Sequence, residues 1–256
     1  MQHIVSFSGG RTSAYLSWLI KQTYPDATFV FMDTGAEHPK TYEFIREVDK
    51  RFELNLTCLK TVVHPTMGEG CSFRVVPIEE CGYDVAAWRD MVGKYGCPSV
   101  GGRAFCTDRM KIVPFTKWVK QNVTSDFTVW IGIRADEPKR LKDRPNTRYL
   151  AALSDFGKQD VVEWWAKQDF DLQISHEFGN CVFCLKKGLS RLKMVAQREP
   201  QLAQTFLDML RLTNNEATPM FRGYTSFNDV VEGNVVQTCN TSEDVDASGW
   251  CCDTDG

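Results

Sequence analysis

No apolar run in this chain approaches the roughly 18–20 residues that a membrane-spanning helix needs, so no such span is expected. Histidine is scarce, with four residues in 256, and His38, His64 and His176 show none of the spacings that hold a metal ion. Neither sign of charge dominates. A formal net charge of −3 gives no global argument for nucleic-acid binding, although a local basic groove stays open. Met1-Gln2-His3 leads into an apolar stretch without a basic n-region, so a signal peptide is not expected and a cytoplasmic location is. There is no internal repeat. The Walker pattern, with its longer glycine spacing and Lys-Ser/Thr ending, is also missing.

What remains is the composition of a globular protein, 43% hydrophobic and 25% charged. The length suits one large domain, or one with a small appendage, and allows a full core. Cysteine is plentiful. Ten of them in a chain with no export signal point to metal or redox chemistry more than to disulfides. Cys58, inside Leu54-Asn55-Leu56-Thr57-Cys58-Leu59, reads as a buried small hydrophobe.

Ser6-Phe7-Ser8-Gly9-Gly10-Arg11-Thr12-Ser13 is the most informative stretch. The apolar His3-Ile4-Val5 before it reads as a strand, and Ala14-Tyr15-Leu16-Ser17-Trp18-Leu19-Ile20 after it as a helix. A strand, a Ser/Gly turn and a helix start together build an anion site. Glycine lets the backbone approach closely, while amides, helix dipole and hydroxyls face the anion.

The pattern then alternates. Phe29-Val30-Phe31-Met32 is a second strand ending in Asp33-Thr34-Gly35, Pro39 opens a helix to about Phe52, and residues 54–63 supply a third strand. Such a series implies a parallel sheet with helices on both faces, with ligands gathered at the carboxyl ends of the strands. Residues 64–106 read as an irregular Cys- and Gly-rich insertion. Thr107 is expected to cap a helix from Asp108 to about Val119, and residues 126–133 form a strand. A short helix spans about 160–168, and 191–212 is one long helix or two. Thus residues 1–63 and 107–150 make the α/β core, 151–212 a helical part, and 213–256 an extension whose acidic, Ser/Asp-rich tail looks flexible.

Five blocks stand in fixed order: residues 6–13; Phe31-Met32-Asp33-Thr34-Gly35; residues 103–114; Gly132-Ile133-Arg134-Ala135-Asp136-Glu137-Pro138-Lys139-Arg140; and Phe178-Gly179-Asn180-Cys181-Val182-Phe183-Cys184. The first looks like the SGGxxS loop of the PP-loop ATP-pyrophosphatases. Together, over roughly residues 1–200, the five resemble the phosphoadenosine phosphosulfate (PAPS) reductase-like family of that superfamily. The resemblance implies a Rossmann-like α/β fold. It also implies a nucleotide phosphate held by Gly9, Gly10 and the hydroxyls of Ser6, Ser8 and Ser13. Arg11 stands where Lys is common and keeps a cation, whereas Thr12 replaces a usual Asp. Asp33, with Gly35 beyond it, matches a position near the adenosine or its metal. Arg134 and Arg140 would grip phosphate or sulfate, oriented by Asp136 and Glu137.

Cys181-x-x-Cys184 has the spacing at which two thiolates reach one metal or cluster. Cys106 matches a family cysteine that joins such a pair, and the fourth ligand is Cys97 or a non-protein group. A [4Fe–4S] cluster is expected, with Zn²⁺ as the rival. Lys111, Lys186 and Lys187 nearby would favour thiolates.

The resemblance thus implies an enzyme that binds ATP with Mg²⁺, cleaves the α–β bond and adenylates an acceptor, which could be a nucleic acid, a small molecule or a partner protein. The rival is a PAPS or adenosine phosphosulfate reductase with a thiol nucleophile. The family's C-terminal Glu-Cys-Gly motif is not reproduced by Gly249-Trp250-Cys251-Cys252, so Cys251 or Cys252 would have to serve. A third possibility is a nucleotide-binding interaction protein without turnover, which Thr12 in place of Asp keeps open.

Overall fold

The computed structural model describes residues 1–99, 105–212, 220–222 and 225–234. Its centre is a six-stranded sheet in the order β4-β3-β2-β1-β5-β6, where β1 is Gln2–Phe7, β2 Thr28–Asp33, β3 Thr57–Val63, β4 Cys71–Val76, β5 Phe127–Ile131 and β6 Thr147–Tyr149. All neighbours run parallel except the edge strand β4, which pairs antiparallel with β3 from Cys58↔Val76 to Val63↔Cys71. The insertion expected at 64–106 therefore contains a sheet strand and a helix, α3 (Ala86–Tyr95). β4 alternates poorly because it is an edge: Arg74 and Val75 face water while only its ends are buried.

Period-two alternation divides the strand side chains between two faces. Val5, Phe7, Phe29 and Phe31 pack against α1 (Arg11–Thr23), α2 (Pro39–Phe52) and α6 (Lys158–Trp165). Ile4, Val30, Met32, Val129 and Ile131 pack against Phe115, Trp118 and Val119 of α5 (Val113–Asn122). A third core joins α3 to the C-terminal helices α7 (Leu189–Arg198), α8 (Pro200–Leu210) and α9 (Phe227–Glu232) through Trp88, Phe183, Phe206 and Phe227. The short hairpin β7 (Met220–Arg222) and β8 (Thr225–Ser226) precedes α9.

One helix boundary differs from expectation and one open choice is settled, and proline explains both. Thr107 does not cap a helix; it is helical itself, within α4 (Phe105–Thr107), which passes through a π-turn at Asp108–Ile112 into α5. Pro114 has no amide for the carbonyl of Met110 and crowds it. The ladder widens there, Val113 N–H bonding back to Asp108 O, and the Thr61 hydroxyl donates to Met110 O at 2.9 Å. Likewise 191–212, open between one helix and two, is two, since the residue before Pro200 is driven out of the helical region: Glu199 sits at φ −124, ψ 62. The tail beyond 234 lies outside the described residues.

Chain order and strand order together place the site. From β1 the chain moves to β2 on one side, and later returns to lay β5 on the other. The turn after β1 thus opens at the point where the winding reverses, which is where open α/β sheets leave a crevice.

Trp165 braces that turn from behind. It is fully buried, its ring lies 5.0 Å from Phe44 and 5.4 Å from Phe170, and its indole N–H donates to Arg11 O at 3.0 Å. Trp165→Ala is expected to cost about 3–5 kcal/mol in urea unfolding; a loss below about 1 kcal/mol would contradict this packing.

Candidate functional site

The β1–α1 turn is folded by one hydroxyl. Ser13 Oγ donates to Gly10 O at 2.9 Å and accepts from the Ser8 amide at 3.2 Å and the Ser8 hydroxyl at 2.9 Å. Gly10 is the N-cap of α1 and makes no side-chain cap bond, and the first turn carries no acid. The helix start therefore keeps its amides and positive dipole end for an anion. Glycine is required on steric grounds as well. Gly9 has φ +88, and a Cβ there would lie 2.9 Å from Ile45 Cδ1. At Gly132, beyond β5, a Cβ would approach Ser13 Cα to 3.1 Å. The β5 end and the α1 start thus touch backbone to backbone. Ser6, within β1, is buried between β2 and β5.

Arg134 follows Gly132 and lies buried against α1. Its Nη1 donates to Thr12 Oγ1 at 3.3 Å, its Nε to Asp136 Oδ1 at 2.9 Å, and its Nη2 is 3.6 Å from Glu137 Oε2. Glu137 also accepts from the Arg134 amide at 3.1 Å and pairs with Arg140. Burial works to raise the Asp136 pKa, but the Lys158 amide and Arg134 outweigh it, so that carboxyl sits below its ordinary value. Thr12 and the two arginines thus form one network.

Arg11, expected on phosphate, is turned elsewhere. Its fork bonds Asp171 through Nε at 2.7 Å and Nη2 at 2.9 Å, and Nη2 also donates to Leu172 O at 2.7 Å. A planar guanidinium matches a carboxylate better than any other partner in reach. The pair ties the loop to the segment after α6, and nothing in the sequence near Arg11 signals Asp171.

At the next strand end, Asp33 organises its own turn. Its Oδ1 accepts from Gly35 N–H and from the Tyr42 hydroxyl, both at 2.8 Å. Its Oδ2 lies 3.4 Å from Lys60 Nζ, which in turn bonds Asp84 at 2.5 Å. Burial raises the Asp33 pKa despite these partners. For Lys60, burial opposes the charge, yet Asp84 and Asp33 prevail and its pKa rises. Gly35, at φ +70, accepts from the amides of Asp84 and Val85 at 3.1 and 3.0 Å. Lys60, Asp84 and Glu37 were not legible as site residues; their partners are distant in sequence.

The Cys181 turn docks on this same turn. Val182 N–H donates to Ala36 O at 2.8 Å, and Glu37 and Cys181 form an antiparallel bridge. The Cys181 thiol donates to Glu37 Oε1 at 3.3 Å and lies 3.8 Å from Thr34 Oγ1. Lys111 Nζ is 3.9 Å from the same Glu37 oxygen. Lys187 is buried and donates to Val182 O at 3.0 Å. Burial brings its pKa down to about 8, against the opposing pull of Cys184, Cys181 and Glu37. Cys184 N–H donates to Cys181 O at 3.1 Å, while Cys97 and Cys106 pack against the third core. Among the described residues, no three His, Cys, Asp or Glu side chains gather as a metal ion would require. Cys97, Cys106, Cys181 and Cys184 do not form such a group in this arrangement. His176 is not packed into the site; its ring is 64% exposed. Cys251 and Cys252 lie outside the described residues.

A mostly parallel α/β sheet with a glycine turn and uncapped helix at its switch point defines a nucleotide-binding class of protein. The phosphoadenosine phosphosulfate reductase domain matches residues 2–170, and the chain belongs to that family. It is 45% identical over 246 residues to an uncharacterised nin region protein of Escherichia phage lambda, covering 91% of this chain and 84% of that one. An uncharacterised protein of Methanocaldococcus jannaschii is 38% identical over 231 residues, covering 86% of this chain but half of its own length. A phosphoadenosine 5'-phosphosulfate reductase of Proteus mirabilis is 23% identical over 176 residues, covering 68% of this chain and 62% of the reductase. No described helix is long and apolar enough to cross a membrane.

Lys187 gives a pH test of the cysteine-bearing turn. Its folded pKa of about 8 lies below the ordinary 10.5. Between those values the unfolded chain holds a proton that the folded chain has lost, so this group's contribution to stability rises with pH. Relative to Lys187→Met, the wild-type protein should gain stability from pH 8 to 10.5 in urea unfolding; a pH-independent difference would contradict the burial.

Proposed function

We propose that the β1–α1 turn binds an adenine nucleotide, ATP carried with Mg²⁺, and that the chain cleaves the α–β bond, adenylates an acceptor and releases pyrophosphate. The observation that carries this reading is the uncapped start of α1 with the buried Arg134 guanidinium laid beside it at Thr12. The amides of Gly9, Gly10 and the first turn of α1 would face the phosphates, with the hydroxyls of Ser6 and Ser8 around them. Ser13 holds the loop in shape. Arg134 supplies positive charge in a water-poor setting, where it stabilises charge developing on the phosphates and the leaving pyrophosphate. Arg140 acts through Glu137, which aligns Arg134. Arg11 positions the loop through Asp171, and Asp33 fixes the turn beside the nucleotide through Gly35 and Tyr42. The first turn of α1 offers no carboxylate, so Mg²⁺ is assigned no protein ligand and would enter on the phosphates.

Family membership supports a second reading, reduction of a sulfonucleotide with release of sulfite. A specific observation favours it: a thiol, Cys181, stands 3.8 Å from the Thr34 hydroxyl just beyond β2. A third, binding without turnover, rests on Thr12.

Arg134→Ala should weaken ATP binding by about tenfold to a hundredfold in calorimetry, the loss of a charge-assisted contact of about 1.5–3 kcal/mol. Unchanged affinity would contradict the site. Pyrophosphate and AMP from ATP support adenylation, sulfite from PAPS the second reading, and binding with neither product the third.

A further inference from the structure

We propose that the loop from β5 to β6, with the edge strand it leads into, docks the phosphate backbone of a nucleic acid strand. The whole chain carries a formal net charge of −3, yet residues 139–148 hold Lys139, Arg140, Lys142, Arg144 and Arg148 against one acid, Asp143. The acids just before the loop do not cancel these cations. Asp136 and Glu137 are engaged by Arg134, and Glu137 also pairs with Arg140. Lys139, Lys142 and Arg148 are exposed and form no ion pair among the described residues. The charge of Arg148 is felt nearby: burial first, then the chain's amino group and Arg148, hold the His3 pKa below its ordinary value.

The loop presents its cations on a fixed backbone. Leu141 and Tyr149 pack on the core under α5. The Tyr149 hydroxyl donates to Lys142 O at 2.6 Å, Thr147 N–H closes a turn onto Arg144 O at 3.2 Å, and Asn146 O accepts from Val129 N–H at 2.7 Å. β6 then ends the sheet, so its outer edge has no strand partner among the described residues. A backbone already ordered loses little freedom on binding, and less of the attraction is offset.

Composition selects the partner. From Arg134 to Leu150 no large apolar side chain is exposed. Protein interfaces centre on buried aromatic and aliphatic anchors, and a membrane-surface segment needs an apolar face. Lys139, Lys142, Arg148 and the exposed Asn146 are instead the side-chain types that bond phosphate and sugar oxygens. A strand offers its phosphates in series, and each contact releases bound counterions. Charge on a sheet edge also guards against strand pairing, but Lys139, Lys142 and Arg144 lie before β6, where there is no edge to guard. Docking a strand here requires no bound nucleotide, so the proposal stands apart from the reading above.

The test is fluorescence anisotropy of a labelled single strand of about 20 nucleotides, as DNA and as RNA, titrated with the full chain without ATP between about 50 and 200 mM salt. Micromolar binding is expected at the lowest salt, with log K falling against log salt at a slope of about −2, from three phosphate contacts at about 0.7 each. Lys139→Gln, Lys142→Gln and Arg148→Gln together should weaken binding about tenfold or more and flatten that slope. Lys50→Gln with Arg89→Gln, exposed on α2 and α3, should change it less than about twofold. Every substituted side chain is exposed, so matching urea unfolding curves are expected. No binding below about 100 μM at the lowest salt, an affinity indifferent to salt, or a triple variant that binds like the wild type would overturn the proposal. Polyglutamate of matched charge binding as tightly as the strand would rule out a nucleic acid as the partner. A chain that binds the strand but not ATP in calorimetry keeps this proposal and removes the nucleotide reading; ATP binding without strand binding does the reverse.

Discussion

The Gly35 carbonyl takes two amides from the start of α3, the next carbonyl takes Val182 N–H, and His38 at the end of the same turn pairs with Glu199 before α8. Three segments that are far apart in sequence are thereby fastened to one turn, residues 33–38. Each bond is modest, about 0.5–1.5 kcal/mol net, but leaving one of these buried groups unmade costs more. Because the turn leaves β2, the neighbour of β1, it decides where the third core sits relative to the sheet. The arrangement beside it follows from that fastening: the Glu37 carboxylate and the Cys181 thiol meet because the turn accepts its partners together.

Beyond the ends of β2 and β5 the charges are arranged in compensated sets. Asp33, Lys60 and Asp84 form one, Glu37 with Lys111 and Lys187 a second, and Arg134 with Asp136 and Glu137 a third. In each set a buried ion is involved, while Asp84 and Asp136 are exposed, and such pairs contribute little net stability, since desolvation offsets their attraction. Their value is geometric. They fix guanidinium and carboxylate groups in low dielectric, where any charge brought by a ligand is felt strongly.

Much of this was legible beforehand. The β-α-β-α-β start, the strand ends carrying residues 8–10 and 33–35, and the helix of 39–52 follow from hydrophobic period and from turn chemistry, both of which are local. The edge strand β4 was missed because an edge carries no two-sided apolar pattern. The start of α4 and the π-turn were misread because Thr107 resembles a cap, while the real constraint is Pro114 acting on Met110 four residues earlier. The ion partners were harder still. Arg11 and Asp171 are 160 residues apart, and no periodicity in sequence announces such a pair. The cysteines illustrate the same limit: a Cys-x-x-Cys spacing states only that two thiols share a turn, and the carboxylate that the Cys181 thiol meets, Glu37, lies 144 residues away.

The most direct measurement is hydrogen–deuterium exchange of the full chain with and without ATP and Mg²⁺, resolved to short peptides. The account predicts protection in two places, the residues 6–14 that turn from β1 into α1 and the 33–38 turn beside them, with smaller changes at 181–184. Protection confined to other surfaces, such as the β4 edge, with residues 6–14 unaffected, would contradict it.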